Sequence, residues 1–369
     1  MQKYIMAACD LHDKTMVLWI ARGREQAERW SFPNDPWGRR MMIEELRQRS
    51  AADGGAEIVF AYEASSQGFG LHDVLSEAGI RCHVLAPTRM ARSPKERVSK
   101  NDARDAKAIL GLLRGHVLAG NGLPAVWIPD RQTRDDRELV RARLDAASKL
   151  SKVKGQIQSL LKRHDLRRPG GTGRGWTDAF VMWLGVLSGE STGEASKLGP
   201  NARVALRSLL RQKEAMEEEI AALDQAVAAL SKTARYAEAM KALLALKGVG
   251  TLTGMVFLTE LGDPGRFSNR RQLACYLGLT PTSAESGRAN DRKGHITRQG
   301  PSRVRRVLCQ AMWAAIDSDP VLTEKYRRVV RKNPKHKKIA VVAGMRWLSI
   351  VMWHRALEAM GPPPSSMAA

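Results

Sequence analysis

The first part of the chain alternates short apolar runs with segments of helical periodicity. Two apolar runs, residues 4–9 and 16–21, flank a short polar segment and predict a β-hairpin. Further elements follow in the order strand, helix, strand, helix, strand, and they cover residues 27–32, 35–49, 57–62, 68–78 and 80–85. A last helix, which Asn101 can cap, completes the region. This order predicts an α/β domain in which helices cover a mixed sheet.

The middle of the chain has the pattern of two long helices. Over residues 132–164 and again over 205–230, apolar residues recur every three or four positions. The two stripes predict an antiparallel coiled coil. Residues 167–200 between the helices are rich in Gly, Ser and Thr, which favours an irregular tip. We therefore expect an α/β domain (1–120), a coiled-coil region (121–238) and a mainly helical C-terminal domain (239–369).

A glycine-containing turn opens the C-terminal domain. Residues 247–250, Lys-Gly-Val-Gly, lie between two apolar runs and resemble the turn of a helix-hairpin-helix. Gly248 and Gly250 would there leave backbone N–H groups free for a phosphate. A simple connection between two helices explains the same residues equally well, so both interpretations stand.

The net charge narrows the classes of function. The 369 residues contain 60 Lys and Arg against 38 Asp and Glu, a net charge of +22. This surplus argues against most enzymes of small metabolites and for a polyanionic partner, because each neutralised phosphate releases a counterion. Residues 286–340 hold 15 Lys and Arg against 4 acids, half of the net charge. Residues 131–168 are also basic, and a solvated helix face and a nucleic-acid track explain them equally well.

Cysteine usage and hydropathy bear on the compartment. The four cysteines lie far apart without the spacing of metal ligands, and they are Cys9, Cys82, Cys275 and Cys309. A disulfide framework or a zinc site is therefore not expected. Asp10 and Asp13 interrupt the first apolar stretch, unlike a signal peptide, and residues 339–360 contain two arginines and a histidine, unlike a membrane span. We expect a soluble, cytoplasmic protein with no membrane contact.

Four carboxylates occupy positions that the predicted elements would bring together. Asp10 ends the first strand and Glu63 the fourth, and these two strands are expected to be neighbours. Asp102 and Asp105 lie three apart at the start of the last helix, which would pack across the same strand ends. Such a cluster is repulsive unless a hard divalent cation neutralises it, so it predicts an Mg²⁺ site, with two ions clamping a phosphodiester. Each acid alone is explained by a surface or capping role, but the coincidence of four is not.

Ordered blocks of sequence occur in both halves of the chain, at residues 8–10, 62–64, 100–106, 247–250, 262–267, 276–281, 285–287, 294–300 and 303–308. Together they resemble the DEDD transposases of insertion sequence family 110. They span nearly the whole chain, although residues 167–200 do not align. The resemblance implies a ribonuclease H-like N-terminal domain, similar to the Holliday-junction resolvase RuvC, followed by a coiled-coil insertion and a C-terminal transposase domain.

The resemblance also implies a chemistry. Family members recombine DNA with a serine nucleophile that works together with the metal-bound acids, and a bridge RNA selects the DNA. The family pattern places this serine at Ser286, before Gly287, with Ser283 as the rival by position. The residues expected to contact nucleic acid are Gly248, Gly250, Arg288, Arg292, Lys293, Arg298 and Arg303.

Three functions follow, in order of preference. The first is a transposase that cleaves and rejoins DNA through a phosphoserine link, acts with Mg²⁺ and a bridge RNA, and forms a homo-oligomer, a dimer or a tetramer. The second is a RuvC-like nuclease that uses a metal-activated water, which the context of Ser286 disfavours. The third is a nucleic-acid-binding module with a vestigial site, which the intact set of four acids disfavours.

Overall fold

The computed structural model describes residues 3–90, 102–189, 198–283, 293–332 and 334–361, with the backbone alone at residues 102–105, 283 and 293. The chain forms two compact units, Met1–Ile128 and Pro129–Ala369. The regions predicted as a coiled coil and as a C-terminal domain share the second unit.

A five-stranded sheet forms the centre of the first unit. Its strands are β1 (Tyr4–Leu11), β2 (Thr15–Arg22), β3 (Glu28–Pro33), β4 (Glu57–Glu63) and β5 (Arg81–Leu85). They are arranged in the order β3-β2-β1-β4-β5. The pairs β1–β2 and β2–β3 are antiparallel, whereas β1–β4 and β4–β5 are parallel. The predicted hairpin and mixed sheet are confirmed, with strand ends within a few residues of those expected.

Helices cover both faces of this sheet. They are α1 (Pro36–Ala52), α2 (Gly70–Glu77) and α3 (Asp102–Ala119). The side chain of Asp35 caps α1 by accepting from the Gly38 N–H at 2.7 Å. α1 and α2 pack on one face, and α3 packs on the other through Ile109, Leu110 and Leu113. The central strand β1 is therefore buried on both sides.

The second unit consists mainly of helices, as expected for the C-terminal region. The helices are α4 (Arg131–Arg163), α5 (Asp178–Ser188), α6 (Pro200–Ser231), α7 (Ala237–Leu244), α8 (Thr251–Leu261), α9 (Arg270–Tyr276), α10 (Ser302–Ile316), α11 (Pro320–Lys332) and α12 (Lys337–Met360). A strand pair, β6 (Pro281–Ser283) and β7 (Lys293–Ile296), lies between α9 and α10 in sequence.

The long helices α4 and α6 form a hairpin. Arg143 pairs with Asp224 at 2.7 Å, and further along α4 Lys154 pairs with Glu217 at 3.0 Å. Because the residue number rises on α4 as it falls on α6, the two helices are antiparallel, as predicted. The expectation of a wholly irregular tip is wrong, since α5 lies there and buries Phe180, whose neighbours include Leu184. The Gly- and Ser-rich composition around α5 concealed an almost entirely apolar eleven-residue segment.

The base of this hairpin is joined to α8. The guanidinium of Arg141 donates two hydrogen bonds, at 2.8 and 3.0 Å, to the buried carboxylate of Glu260. Arg137 donates to the carbonyl oxygens of Thr259 and Glu260 at 2.6 and 3.0 Å. These bonds satisfy carbonyls at the C-terminal end of α8, which has no intrahelical donors for them. The hairpin therefore leaves the helical core from a fixed base.

The core of the second unit is centred on α8, α10 and α12. All eight residues from Gly254 to Leu261 are buried, so α8 contacts protein on every side. α12 buries nine residues along one stripe, so the C-terminal apolar stretch is a helix packed into the core. Among the described helices, none combines the length and the apolar character needed to cross a bilayer.

Candidate functional site

Two of the four predicted acids lie side by side at the ends of parallel strands. Cys9 of β1 is in register with Tyr62 of β4. Asp10 and Glu63 are the next residues on each strand, so they are neighbours at the carboxyl ends. Both are partly buried. The predicted adjacency of these strands is confirmed.

The alternation of side chains assigns the two acids to one face of the sheet. Cys9 and Tyr62 point into the core that α1 and α2 cover, whereas Ala8 and Ala61 point toward α3. Asp10 is two residues from Ala8, and Glu63 is two residues from Ala61. Both carboxylates therefore belong to the face on which α3 packs. We call this edge of the sheet the acidic edge.

The other two acids lie at the start of α3. The helix begins at Asp102, and Asp105 follows within its first turn. The side chains of both residues lie outside the described part of the structure. Within the described side chains, no group of three or more His, Cys, Asp or Glu could hold a metal ion. The convergence of all four carboxylates therefore stays a prediction.

A histidine that the sequence did not single out contacts the acidic edge. His12 Nε2 lies 3.1 Å from Asp10 Oδ2. His12 belongs to the turn after β1. Its backbone N–H donates to the Thr15 carbonyl at 2.9 Å, and its backbone carbonyl accepts from Asn34 Nδ2 at 2.7 Å. The imidazole can thus orient the Asp10 carboxylate. The sequence feature that could have indicated this contact is a histidine two residues after an aspartate at the end of a strand.

The neighbouring cysteine is unsuited to chemistry. Burial raises the pKa of the Cys9 thiol well above its ordinary value, and the charge of Asp10 raises it further. The thiol therefore stays protonated and is a poor ligand or nucleophile. The carboxylate oxygens of Asp10 and Glu63 are hard donors, which is the type of atom that a hard cation prefers.

The predicted nucleophile region can be placed only in part. Ser286, Arg288 and Arg292 lie outside the described residues. Ser283 ends β6 and Lys293 begins β7, and of these two residues the structure describes the backbone. Arg298, just after β7, is exposed and has a left-handed backbone at φ 55°.

The remaining predicted nucleic-acid contacts are distributed over the helical unit. Arg303 of α10 pairs with Asp145 of α4 at 3.4 Å, on a partly exposed face. Gly248 has φ 81°, and a Cβ there would collide with the Ala311 carbonyl oxygen and lie 2.9 Å from the Ala315 nitrogen. Gly248 thus lets a turn approach α10 closely, which supports the connecting-turn interpretation. Gly250 is exposed and caps the N-terminus of α8 with open space around it.

Exposed cations concentrate at the turn between α11 and α12. Eight of the residues from 325 to 338 are Lys or Arg, and no acid lies among them. Seven of the eight are exposed, and they are Arg327, Arg328, Arg331, Lys332, Lys335, Lys337 and Lys338. Arg331 is held by Glu324 at 2.6 Å. A surface of this charge fits a phosphate backbone.

These features fit the ribonuclease H-like class of nucleic-acid-processing proteins, with a helical unit added. The family model of the DEDD transposases of IS110 matches residues 8–165, and the model described as the transposase IS116/IS110/IS902 family matches residues 240–327. The chain belongs to the IS110 family of DEDD transposases.

Individual relatives agree with this assignment. The candidate transposase y4qE of Sinorhizobium fredii is 32% identical over 304 residues, which cover 82% of this chain and 70% of that protein. The transposase for insertion sequence element IS1533 of Leptospira borgpetersenii is 24% identical over 262 residues, 70% of each chain. The transposase for IS1111A of Coxiella burnetii is 24% identical over 233 residues, covering 62% of this chain and 58% of that protein.

Proposed function

We propose that this transposase cleaves and rejoins DNA strands through a phosphoserine intermediate, with Ser286 as the nucleophile and a Mg²⁺ site formed by Asp10, Glu63, Asp102 and Asp105. The observation that carries the proposal is the acidic edge, where Asp10 and Glu63 adjoin on the face that α3 covers. In a DEDD transposase, this is where a phosphodiester would be held against a divalent cation.

The donor set suits magnesium. Two partly buried carboxylates on adjacent strands repel each other, and a hard cation with oxygen ligands removes that repulsion. When bound, Mg²⁺ would supply positive charge for the scissile phosphate and for the alkoxide of the attacking group. His12 would hold Asp10 in a single orientation toward it.

The register of α3 supports a place for the two aspartates at the same edge. Positions 102 and 105 precede Ala106 and Ile109 by four residues, which is about one helical turn. Both Ala106 and Ile109 are buried, and Ile109 packs against the sheet. The first turn of α3 therefore continues the helix face that contacts the sheet.

The covalent step conserves the phosphodiester energy. The bond from Ser286 Oγ to phosphorus forms while the bond from phosphorus to the leaving sugar oxygen breaks, and the hydroxyl proton passes to that oxygen through solvent or a nearby base. The reverse reaction with a new sugar hydroxyl reseals the strand without an external energy source. The DNA phosphates would be neutralised by Arg288, Arg292, Lys293 and Arg298. Arg303 would be a further contact to the nucleic acid.

The remaining assignments concern partners. We propose that a bridge RNA selects the target DNA. The α4–α6 hairpin would be a coiled coil that supports a homo-oligomer. Gly248 and Gly250 would border the nucleic acid. Mixing the inactive variants Asp10→Ala and Ser286→Ala tests whether sites are shared between protomers. Partial recovery of activity supports sharing, and no recovery at any ratio argues for a site within one chain.

A covalent adduct tests the nucleophile. The protein is incubated with Mg²⁺ and labelled DNA, denatured, and examined for label that migrates with protein. Ser286→Ala should bind nucleic acid normally and lose both cleavage and adduct, whereas the matched variant Ser283→Ala should retain both. If Ser286→Ala still cleaves DNA and the wild type forms no adduct, the nuclease with metal-activated water is the correct function.

A further inference from the structure

Arg305 donates hydrogen bonds to carbonyls from two separate stretches of chain. Its Nη1 reaches the carbonyl oxygens of Leu277 at 3.0 Å, Gly300 at 3.2 Å and Gln299 at 3.4 Å, and its Nη2 reaches that of Arg298 at 2.9 Å. A cation near the N-terminus of a helix is unfavourable toward the helix dipole. Arg305 lies near the start of α10, and hydrogen bonds to the four carbonyl oxygens offset this unfavourable interaction.

The two stretches also interlock through glycines. Gly278 has φ 65° and Gly300 has φ 90°, both in the left-handed region. A Cβ on Gly278 would collide with the Gln299 carbonyl oxygen, and a Cβ on Gly300 would collide with the Tyr276 carbonyl oxygen. The backbones thus touch at a distance that only glycine allows. We call Arg305 with these two glycines the carbonyl lock.

The lock lies at the outer ends of the β6–β7 pair. Thr297, directly after β7, donates its N–H to the Thr280 carbonyl at 2.9 Å, and Arg298 donates to the Gly278 carbonyl at 3.3 Å. The pair itself has three residues in β6 and four in β7, with an irregular register. Two such short strands are marginally stable alone, so their direction depends on what fixes their ends.

We propose that Arg305 is a positioning residue for strand transfer. Its guanidinium fixes the stretch of chain that leads into β6 and the stretch that follows β7. The inference rests on the proposed function, since Ser286 lies between β6 and β7 in sequence. Arg305 acts through these carbonyls and not on the DNA.

Lysine cannot replace this arginine. The planar guanidinium presents N–H groups in a fixed fork that reaches several acceptors at once, whereas an ammonium is a point donor on a flexible stem. Burial lowers the pKa of the Arg305 guanidinium, and the charge of Arg298 lowers it further, yet a guanidinium stays protonated in proteins. Arg305→Lys therefore keeps the charge and loses the fork.

The test compares Arg305→Lys with Arg306→Lys. Arg306 is the next residue, is exposed, and donates to Ser148 Oγ at 2.9 and 3.0 Å. At saturating DNA, the rate of adduct formation should fall about 10–100-fold in Arg305→Lys. A loss of this size is typical when a residue that orients the groups of a site, without touching the reacting atoms, is replaced. DNA affinity and Tm should stay close to wild type, and Arg306→Lys should keep the wild-type rate. In Arg305→Lys, the amides of Thr297 and Arg298 should exchange hydrogen faster.

Two further measurements keep the inference distinct from simple misfolding. In Arg305→Ala, added guanidinium should restore part of the adduct rate. A wild-type rate in both Arg305 variants overturns the inference, as does a rate that falls only in parallel with Tm and DNA affinity. Adduct formation by Ser286→Ala is measured in the same experiment. If this variant retains the adduct, Ser286 is not the nucleophile, and the effect of Arg305→Lys is then measured on the rate of strand cleavage.

Discussion

The acidic edge of the first unit and the β6–β7 pair of the second are held in place by different kinds of contact. Asp10 and Glu63 belong to β1 and β4, which are interior strands with a paired strand on either side, and β1 is the centre of a sheet buried on both faces. The β6–β7 pair is short and depends on Arg305 and on two glycines in special conformations. The first region is fixed by strand pairing along the whole sheet, whereas the second depends on a few individual residues.

The largest effect should come from the acidic edge itself. Asp10→Asn removes the charge of a proposed metal ligand and leaves the strand unchanged, so DNA cleavage should fall by at least about 100-fold, more than the loss of a residue that only orients such a ligand. Nucleic-acid binding should persist, since a negative charge has been removed. Cleavage is measured against Asp13→Asn, the same change in the adjacent turn, which should remain active. Full activity of Asp10→Asn would show that Asp10 is not a ligand of a catalytic metal ion.

The carbonyl lock should be sensitive to one added methyl group. Gly300→Ala places a side chain at φ 90° and against the Tyr276 carbonyl, so the free energy of unfolding should fall by about 1–3 kcal/mol from backbone strain, before any steric collision. Urea denaturation measures this. Gly155→Ala is the control: it has open space within α4 and should stabilise by about 0.5–1 kcal/mol. Equal stability of Gly300→Ala and wild type would show that the two stretches are not interlocked.

A smaller effect is expected at the histidine beside Asp10. His12→Gln removes the imidazole 3.1 Å from the carboxylate and should lower cleavage about 10-fold, the lower end for an outer partner of a metal site. The Mg²⁺ concentration for half-maximal rate should rise. An unchanged Mg²⁺ dependence would mean that His12 serves only the turn.

The smallest effect concerns pH. Burial lowers the pKa of His83 to about 4, with contributions from His116, whose ring centroid is 5.4 Å away, and from Arg81. Because the folded pKa lies below the unfolded value, stability is present above about pH 6.5 and is lost as pH falls toward 4. His83→Asn should make the urea midpoint of the α/β unit less sensitive to pH over this range. An identical pH slope in both proteins would contradict the assignment.

The sequence could predict much of the first unit because its signals are local. Apolar runs and helical periodicity define the strands and helices, and their order makes β1 and β4 neighbours. Long-range side-chain contacts leave no such pattern. Arg141 and Glu260 are 119 residues apart, and neither the Arg305 acceptors nor the His12 contact follows from periodicity. The blocks at 276–281, 294–300 and 303–308 contained the residues of the carbonyl lock, although not their arrangement.

The ion pair between Arg141 and Glu260 makes the α4–α6 hairpin a lever. Beyond Arg141, α4 continues for 22 residues to Arg163, which at about 1.5 Å per residue is a rigid arm of about 33 Å. A rotation of about 5° at Arg141 displaces the far end by about 3 Å, which is the length of a hydrogen bond. The contacts along the base of α4, from Arg137 and Arg141 on the end of α8 to Ser148 beside Arg306, therefore determine how accurately α5 is placed at the far end of the hairpin.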